Sequence, residues 1–280
     1  MKVYKVGEMT FSLNYHFEDY FENNLEHYLV EGILPEFNID VEIVESIKKP
    51  KGAVTPNTRP KEILSDDKRH LFFETEGGIK FLITHDHKYQ NISLKLNKNL
   101  TKSLPRMEYI YLGIIFLDLA IYKNYLPLHG TALIVDNKLI IISAPSGTGK
   151  STLRRHLELA FDNLVVVNDD KPIISFNEGI KVLGSPFSGE HAVNTNMSYP
   201  LDAIVFLEQG KTNEFIPIDN TEKVIKVIEN IFKPKYEKDW EKVINQVNIL
   251  IEKIPIIKYK AVNDISAATT LIKHLELLKG

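Results

Sequence analysis

Cysteine is absent from the 280 residues, which excludes disulfides, thiolate metal sites and thiol nucleophiles. A reducing compartment is what such a chain fits. Arginine is nearly absent too. Only five of the 34 basic residues are Arg, and the lysines are scattered rather than gathered into a stripe. With a net charge of −3, the chain is expected to have no nucleic-acid partner. The N-terminal stretch "MKVYKVGEMTFSLNYHFEDYFENN" lacks the apolar core and small-residue cleavage site of a secretory signal. The most apolar stretch, Glu108 to Tyr122, carries Asp118 and is shorter than the ~20 residues a bilayer requires. It predicts a buried helix and no membrane association. The cytoplasm is the expected location.

What is present is a patterned chain of ordinary globular composition, long enough for one large domain or two small ones. Residues 1–105 predict a mixed α+β region of unknown role and a candidate for substrate recognition. "EMTFSLNY", "VEIVES" and "NISLKL" predict strands, and "HLFFETEGGIKFLITHD" a hairpin turning at Gly77-Gly78. "EDYFENNLEHYLVEG" predicts a helix with Tyr20, Phe21, Leu25, Tyr28 and Leu29 on one face and a stop at Gly32. Residues 48–62 are rich in Lys, Pro and Thr and predict an exposed loop. His85-Asp86-His87 has the spacing of two metal ligands on a strand face, but without a third ligand it reads as a polar turn.

Residues 106–280 predict a second domain that ends in helices. Pro105 opens the apolar helix, which runs to about Lys123. Three hairpins are predicted around one strand–loop–helix–strand unit. They turn at Asp136-Asn137, at Asn177-Glu178-Gly179 and near Gly210. A doubly wound fold would alternate strand and helix throughout. The expected class is therefore α/β with a mixed, largely antiparallel sheet.

The chemistry is concentrated in "LHGTALIVDNKLIIISAPSGTGKST". Its end, Ala144 to Ser151, fits the phosphate-loop pattern G-x-x-x-x-G-K-[ST] except that Ala replaces the first Gly. An apolar strand enters and a helix leaves, as the mechanism requires. Gly147 and Gly149 let backbone N–H groups curl around phosphate oxygens, and the helix N-terminus adds positive potential. Ser146, Gly147, Thr148, Gly149, Lys150, Ser151 and Thr152 are the candidate phosphate-binding set. Lys150 is expected at the β- and γ-phosphates and the Ser151 hydroxyl at Mg²⁺. Ala144 is tolerable where φ is negative.

Asp169-Asp170 end the strand "LVVVN", which can lie beside the loop's own strand. One carboxylate would hold Mg²⁺, and the other would accept the proton of an incoming hydroxyl. His129 precedes a strand antiparallel to the loop's strand, and that pairing would return it to the phosphate end. Arg154-Arg155 read as a solvated helix face, Lys211 as a turn lysine and Trp240 as helix packing.

Together, "LHGTALIV", "LIIISAPSGTGKSTL" and "LVVVNDD" resemble the kinase core of the HPr kinase/phosphorylase superfamily, which is related in fold to phosphoenolpyruvate carboxykinases. The resemblance covers about residues 125–175. It implies a P-loop kinase using ATP and Mg²⁺, with His129 near the transferring phosphate, Asp169 as general base, and Asp170 and Ser151 near the metal. "GSPFSGEH" and "LDAIVFLEQGKTN" look like segments of a carboxykinase-like branch, which would put Glu190 and His191 on the acceptor side. The sequence departs from HPr kinase at Thr152, where that family usually has Glu. The implied acceptor is a hydroxyl, on a peptide, a carrier protein or a small molecule. The resembled family often assembles, which implies a homo-oligomer. A nucleotide hydrolase and a non-catalytic ATP-binding module are the competing readings. A GTPase is disfavoured, because the Asn-Lys-x-Asp motif is missing.

Overall fold

A computed structural model describes residues 2–56, 58, 60–65, 67–145, 147–188 and 193–277, apart from the side chain of Glu22. Two compact units divide the chain, the first ending at Leu119 and the second starting at Ala120.

The first unit runs β1 (Lys2–Val6), β2 (Met9–Asn14), α1 (Glu18–Leu25), β3 (Leu29–Val30) and β4 (Phe37–Val44). It continues with β5 (Lys61–Leu64), β6 (Lys68–Thr75), β7 (Gly78–Asp86), β8 (Asn91–Asn97) and α2 (Leu104–Tyr122), within which the boundary falls. The strands form one mixed sheet in the order β3-β1-β2-β4-β8-β7-β6-β5. Alternation dictates which residues enter the core. In β4, Phe37, Ile39 and Val41 are buried while Asp40 and Glu42 face water. Helix α2 is apolar enough to cover such a sheet. Phe116 meets Phe11 with ring centres 5.6 Å apart, and Tyr111 meets Phe81 at 4.1 Å. Among the described residues no helix is long and apolar enough to cross a membrane.

Three expectations for this unit change or sharpen. The helix after Phe17 stops at Leu25 rather than running to Gly32. A 3-10 turn, Glu26–Tyr28, follows it, and Leu29-Val30 then pair with β1. Asn23 and Asn24 are weak helix formers, and the sheet edge offers the next backbone groups better partners than another helical turn. Residues 61 and 62, assigned to the loop, begin β5. His85 and Asp86, read as part of a polar turn, instead end β7, with His85 buried against Tyr89, and the turn follows at His87-Lys88. The Asp86 carboxylate accepts from the N–H groups of Lys88, Gln90 and Asn91 at 2.8, 3.1 and 2.9 Å.

The second unit runs β9 (Leu126–Pro127), β10 (Thr131–Val135), β11 (Lys138–Ser143), α3 (Lys150–Ala160) and β12 (Val165–Asn168). Next come β13 (Ile173–Ser175), β14 (Lys181–Leu183), β15 (Ser198–Gln209), β16 (Glu214–Ile216) and α4 (Asn220–Asn230). Helix α5 (Glu237–Lys253), β17 (Ile256–Ala261) and α6 (Ser266–Leu277) close it. Long strand β15 organises the sheet. Its first residues pair with β14, its middle runs parallel to β11, and its end runs parallel to β17. The other pairings are antiparallel, so the sheet is mixed and largely antiparallel.

Strand β11 is buried on both faces, which is why it reads as a continuous apolar run. Leu139 and Ile141 enter a core shared with α4 and α5, while Ile140 and Ile142 enter one on the opposite face with α3 and α6. The glycine loop thus leaves the sheet from a strand buried on both faces. The β10–β11 hairpin turns where the sequence places it, with φ of 50° at Asp136 and 57° at Asn137. Both residues tolerate that left-handed conformation better than others do.

Two pairings differ from expectation. Residues 202–218 do not form a hairpin, because β17 inserts between β15 and β16. Period-two patterning identifies a strand but not its neighbour, and here the neighbour comes from some 40 residues further along. Strand β12 pairs with β10 rather than lying beside β11, and Val165 is exposed at this sheet edge.

Candidate active site

The loop between β11 and α3 takes positive φ at Gly147 (79°) and Gly149 (102°), values that L side chains seldom adopt. A Cβ on either glycine would meet nothing within 4 Å. Backbone shape, not crowding, is what requires glycine here. Ala144 has no positive φ and is buried in the α3-side core, so the missing first glycine leaves the turn intact. Helix α3 begins at Lys150, which leaves the N–H groups of its first turn facing the loop. Ser151 is exposed and Thr152 half-buried. Ser146, Glu190 and His191 lie outside the described residues.

His129 is returned to this loop, as the hairpin predicts. Its segment is held from both sides. Leu128 and Gly130 donate to the carbonyls of Pro172 (3.1 Å) and Asp170 (3.0 Å), and His129 N–H donates to the Asn230 carbonyl at 2.7 Å. The Ser143 hydroxyl donates to the His129 carbonyl at 2.7 Å and lies 3.1 Å from Asn230 Oδ1. Gly130 permits this close packing, since a Cβ there would sit 2.8 Å from Ile141 Cγ2 and 2.9 Å from the Ile142 carbonyl. So fixed, the imidazole puts Nδ1 3.2 Å from Asp170 Oδ1 and Nε2 3.5 Å from Lys150 Nζ. A carboxylate only accepts, so Nδ1 is the donor of that pair, and Nε2 is turned toward the ammonium.

The carboxylates owe their position to Asn168, which is fully buried. Its Nδ2 donates to Ser185 O and Oγ at 3.0 and 3.1 Å, and its Oδ1 accepts the N–H groups of Asp170 and Lys171 at 2.9 and 2.7 Å. This turn ends β12 before the two aspartates, so they escape strand alternation and both face the loop region. Asp169 accepts from the Thr131 hydroxyl at 2.8 Å and from Arg154 at 2.6 Å. Asp170 pairs with His129 and Lys171.

The charges are strongly coupled. Burial alone would raise Asp170, but His129 and Lys171 outweigh it and bring its pKa down to about 2. Burial lowers the Lys150 ammonium, against the pull of Asp170 and Asp169. Burial also opposes the Arg154 charge, which Glu158 and Asp169 nevertheless hold above its usual value. Arg154 is therefore no solvated face residue. Its i,i+4 spacing from Lys150 was the available signal, since that spacing puts both side chains on one face of α3. Thr131, Ser143 and Asn230 carried no such signal.

The oxygen donors fit a hard divalent cation carried by phosphate. Among the described residues no group of three His, Asp or Glu side chains is arranged to hold a metal alone. Mg²⁺ needs none, because it keeps waters and takes one or two carboxylates together with substrate phosphate.

No family model matches the chain, and no curated protein matches its sequence. Among solved structures, the HPr(Ser) kinase/phosphatase from Coxiella burnetii is similar over 45% of this chain and 92% of its own. The identity is 14% and the TM-score 0.25. A similarity of that size carries no weight, and the functional reading rests on the residues.

Proposed function

We propose that the chain is an ATP- and Mg²⁺-dependent kinase that transfers the γ-phosphoryl group to a hydroxyl acceptor. The observation that supports this most is the convergence of Lys150, His129 and Asp170 beside a glycine loop that opens a helix. A helix-capping loop would require neither the lysine nor the returned histidine.

In this reading the loop N–H groups and Lys150 hold the phosphates, and Ser151 and Asp170 hold Mg²⁺. When bound, the metal neutralises charge on the phosphate oxygens. The acceptor oxygen attacks phosphorus in line, its proton passes to a base, and the bond to the bridging oxygen breaks to release ADP. Phosphoryl transfer is served mainly by positioning and charge neutralisation, which suits a site dense in fixed charges. Asp169 is the proposed base. Thr131 and Arg154 orient it, and the acceptor hydroxyl would displace one of those contacts. A second reading is favoured by the His129–Asp170 pair. An imidazole held through Nδ1 by a carboxylate, with Nε2 turned to Lys150 and able to accept once a substrate displaces that contact, is the arrangement of a general base and its orienter. The acceptor is a hydroxyl of a peptide, a carrier protein or a small molecule.

The test measures ATP binding and phosphoryl transfer side by side. Lys150→Ala should weaken ATP binding at least about tenfold, and unchanged affinity would remove the phosphate-loop assignment. Asp169→Asn and His129→Gln, compared at equal ATP occupancy, should reveal the base. The variant that loses about 100-fold or more in transfer identifies it, and transfer retained in both removes both candidates.

A further inference from the structure

Each carboxylate of the acidic turn already holds a cation of the chain's own. Arg154 serves Asp169 and is braced a second time by Glu158, at 2.8 Å. Asp170 has both oxygens engaged, Oδ1 by the His129 imidazole and Oδ2 by the Lys171 ammonium. A divalent cation that is to reach Asp170 must displace one of these partners, because two positive groups at one oxygen repel each other. His129 is poorly placed to leave. Its N–H and its carbonyl are both bonded, and so are the N–H groups of Leu128 and Gly130 on either side. Lys171 is different. Its backbone is pinned, with the N–H on Asn168 Oδ1 at 2.7 Å and the carbonyl accepting from the Ser185 hydroxyl at 3.3 Å. Its side chain, however, is 40% exposed and among the described residues pairs with Asp170 alone. A four-carbon stem fixed at its root and loose at its head can change partners.

Charge says where it would go. Burial lowers the Lys150 ammonium, and the charge of Lys171 adds to that lowering against the pull of Asp170 and Asp169. The two ammonium groups therefore share one neighbourhood. Bare Mg²⁺ taking Asp170 would leave Lys171 beside Lys150 without an anion, since Asp169 is already held by Arg154, and an ammonium so placed is costly. Mg²⁺ that arrives on a nucleotide brings phosphate oxygens, which an ammonium bonds strongly. The same carboxylate is thus closed to the metal alone and open to the metal with its phosphate.

We propose that Lys171 is an exchangeable cation, which holds Asp170 until Mg²⁺ arrives with nucleotide and then passes to the phosphate oxygens. Metal and nucleotide accordingly enter together. The assignment rests on the kinase reading given above. Mn²⁺, followed by the paramagnetic resonance of the free ion, probes the metal position in the full chain without nucleotide. Lys171→Met should bind Mn²⁺ about tenfold or more tightly than the unaltered protein. Lys171→Arg keeps the cation and should show no such gain. Arg154→Ala removes an equal charge from the neighbouring carboxylate and should stay within about threefold of the unaltered protein. Unchanged Mn²⁺ affinity in Lys171→Met, or an equal gain in either of the other two variants, overturns the exchange. Calorimetric titration of the unaltered protein with Mg²⁺-ATP separates that failure from failure of the kinase reading. ATP that binds there leaves the phosphate loop standing, and ATP that does not bind overturns the loop and the exchange together.

Discussion

Arg154 and Asp169, fifteen positions apart on a helix and beyond the end of a strand, meet at 2.6 Å across the loop region. The contact ties α3 to the acidic turn, so that a movement of α3 is felt by the carboxylate. Both side chains are largely buried, and the pair is not a solvent-screened surface bridge.

Arg154→Ala should therefore slow phosphoryl transfer by on the order of 100-fold through misplacement of Asp169. ATP affinity should stay within about threefold, because Arg154 does not belong to the loop. Single-turnover transfer measured beside equilibrium ATP binding checks this. Equal losses in both would place Arg154 at the nucleotide instead.

Asp170 makes stability depend on pH in a defined direction. Its folded pKa lies at about 2, below the ordinary value of about 3.9 in an unfolded chain. A depressed carboxylate stabilises the fold above its unfolded pKa, and that contribution disappears as pH falls through the folded one. Urea midpoints should drop between about pH 4 and about pH 2, with roughly 2 kcal/mol traceable to this group. Asp170→Asn should flatten the profile in that window alone.

Asn168→Ala removes the amide that satisfies Ser185 and two backbone N–H groups at once. Leaving buried polar groups unpaired should cost about 2–4 kcal/mol, read as a lower urea midpoint. Transfer should fall in protein that remains folded, because both carboxylates hang from this turn.

Asn137→Val should destabilise by about 1–2 kcal/mol, since a β-branched residue resists the left-handed conformation of this turn. Asn137→Gly should stay within a few tenths of a kcal/mol of the unaltered protein. Thermal unfolding of the two variants, taken together, separates backbone strain from loss of the side chain.

These outcomes also show what was legible beforehand. The loop, α3, the β10–β11 hairpin and α2 follow from local chemistry. Two glycines, a lysine and a hydroxyl stand in register, Asp136-Asn137 suits a tight turn, and an unbroken apolar run suits a buried helix. What sequence reasoning missed depends on partners far along the chain. The placement of β17 between β15 and β16 and the edge position of β12 are outcomes of sheet assembly, which alternation does not encode. Arg154 had helical spacing in its favour, but its role emerged only when Asp169 came within reach. Asn230 and Ser143 are 87 positions apart, and nothing in either neighbourhood hints at His129.

That last separation divides the site by the order in which it can form. The half that would bind phosphate, from Thr131 to Thr152, closes through a hairpin and one helical turn, contacts short enough to appear early in folding. The half that would react does not exist until α4 has docked and the Asn230 carbonyl has taken the His129 N–H, which closes a loop of about a hundred residues at an entropic cost that must be met first. Nucleotide retention should therefore return before catalytic competence when the unfolded chain is diluted into buffer. The interval between the two would time the arrival of α4.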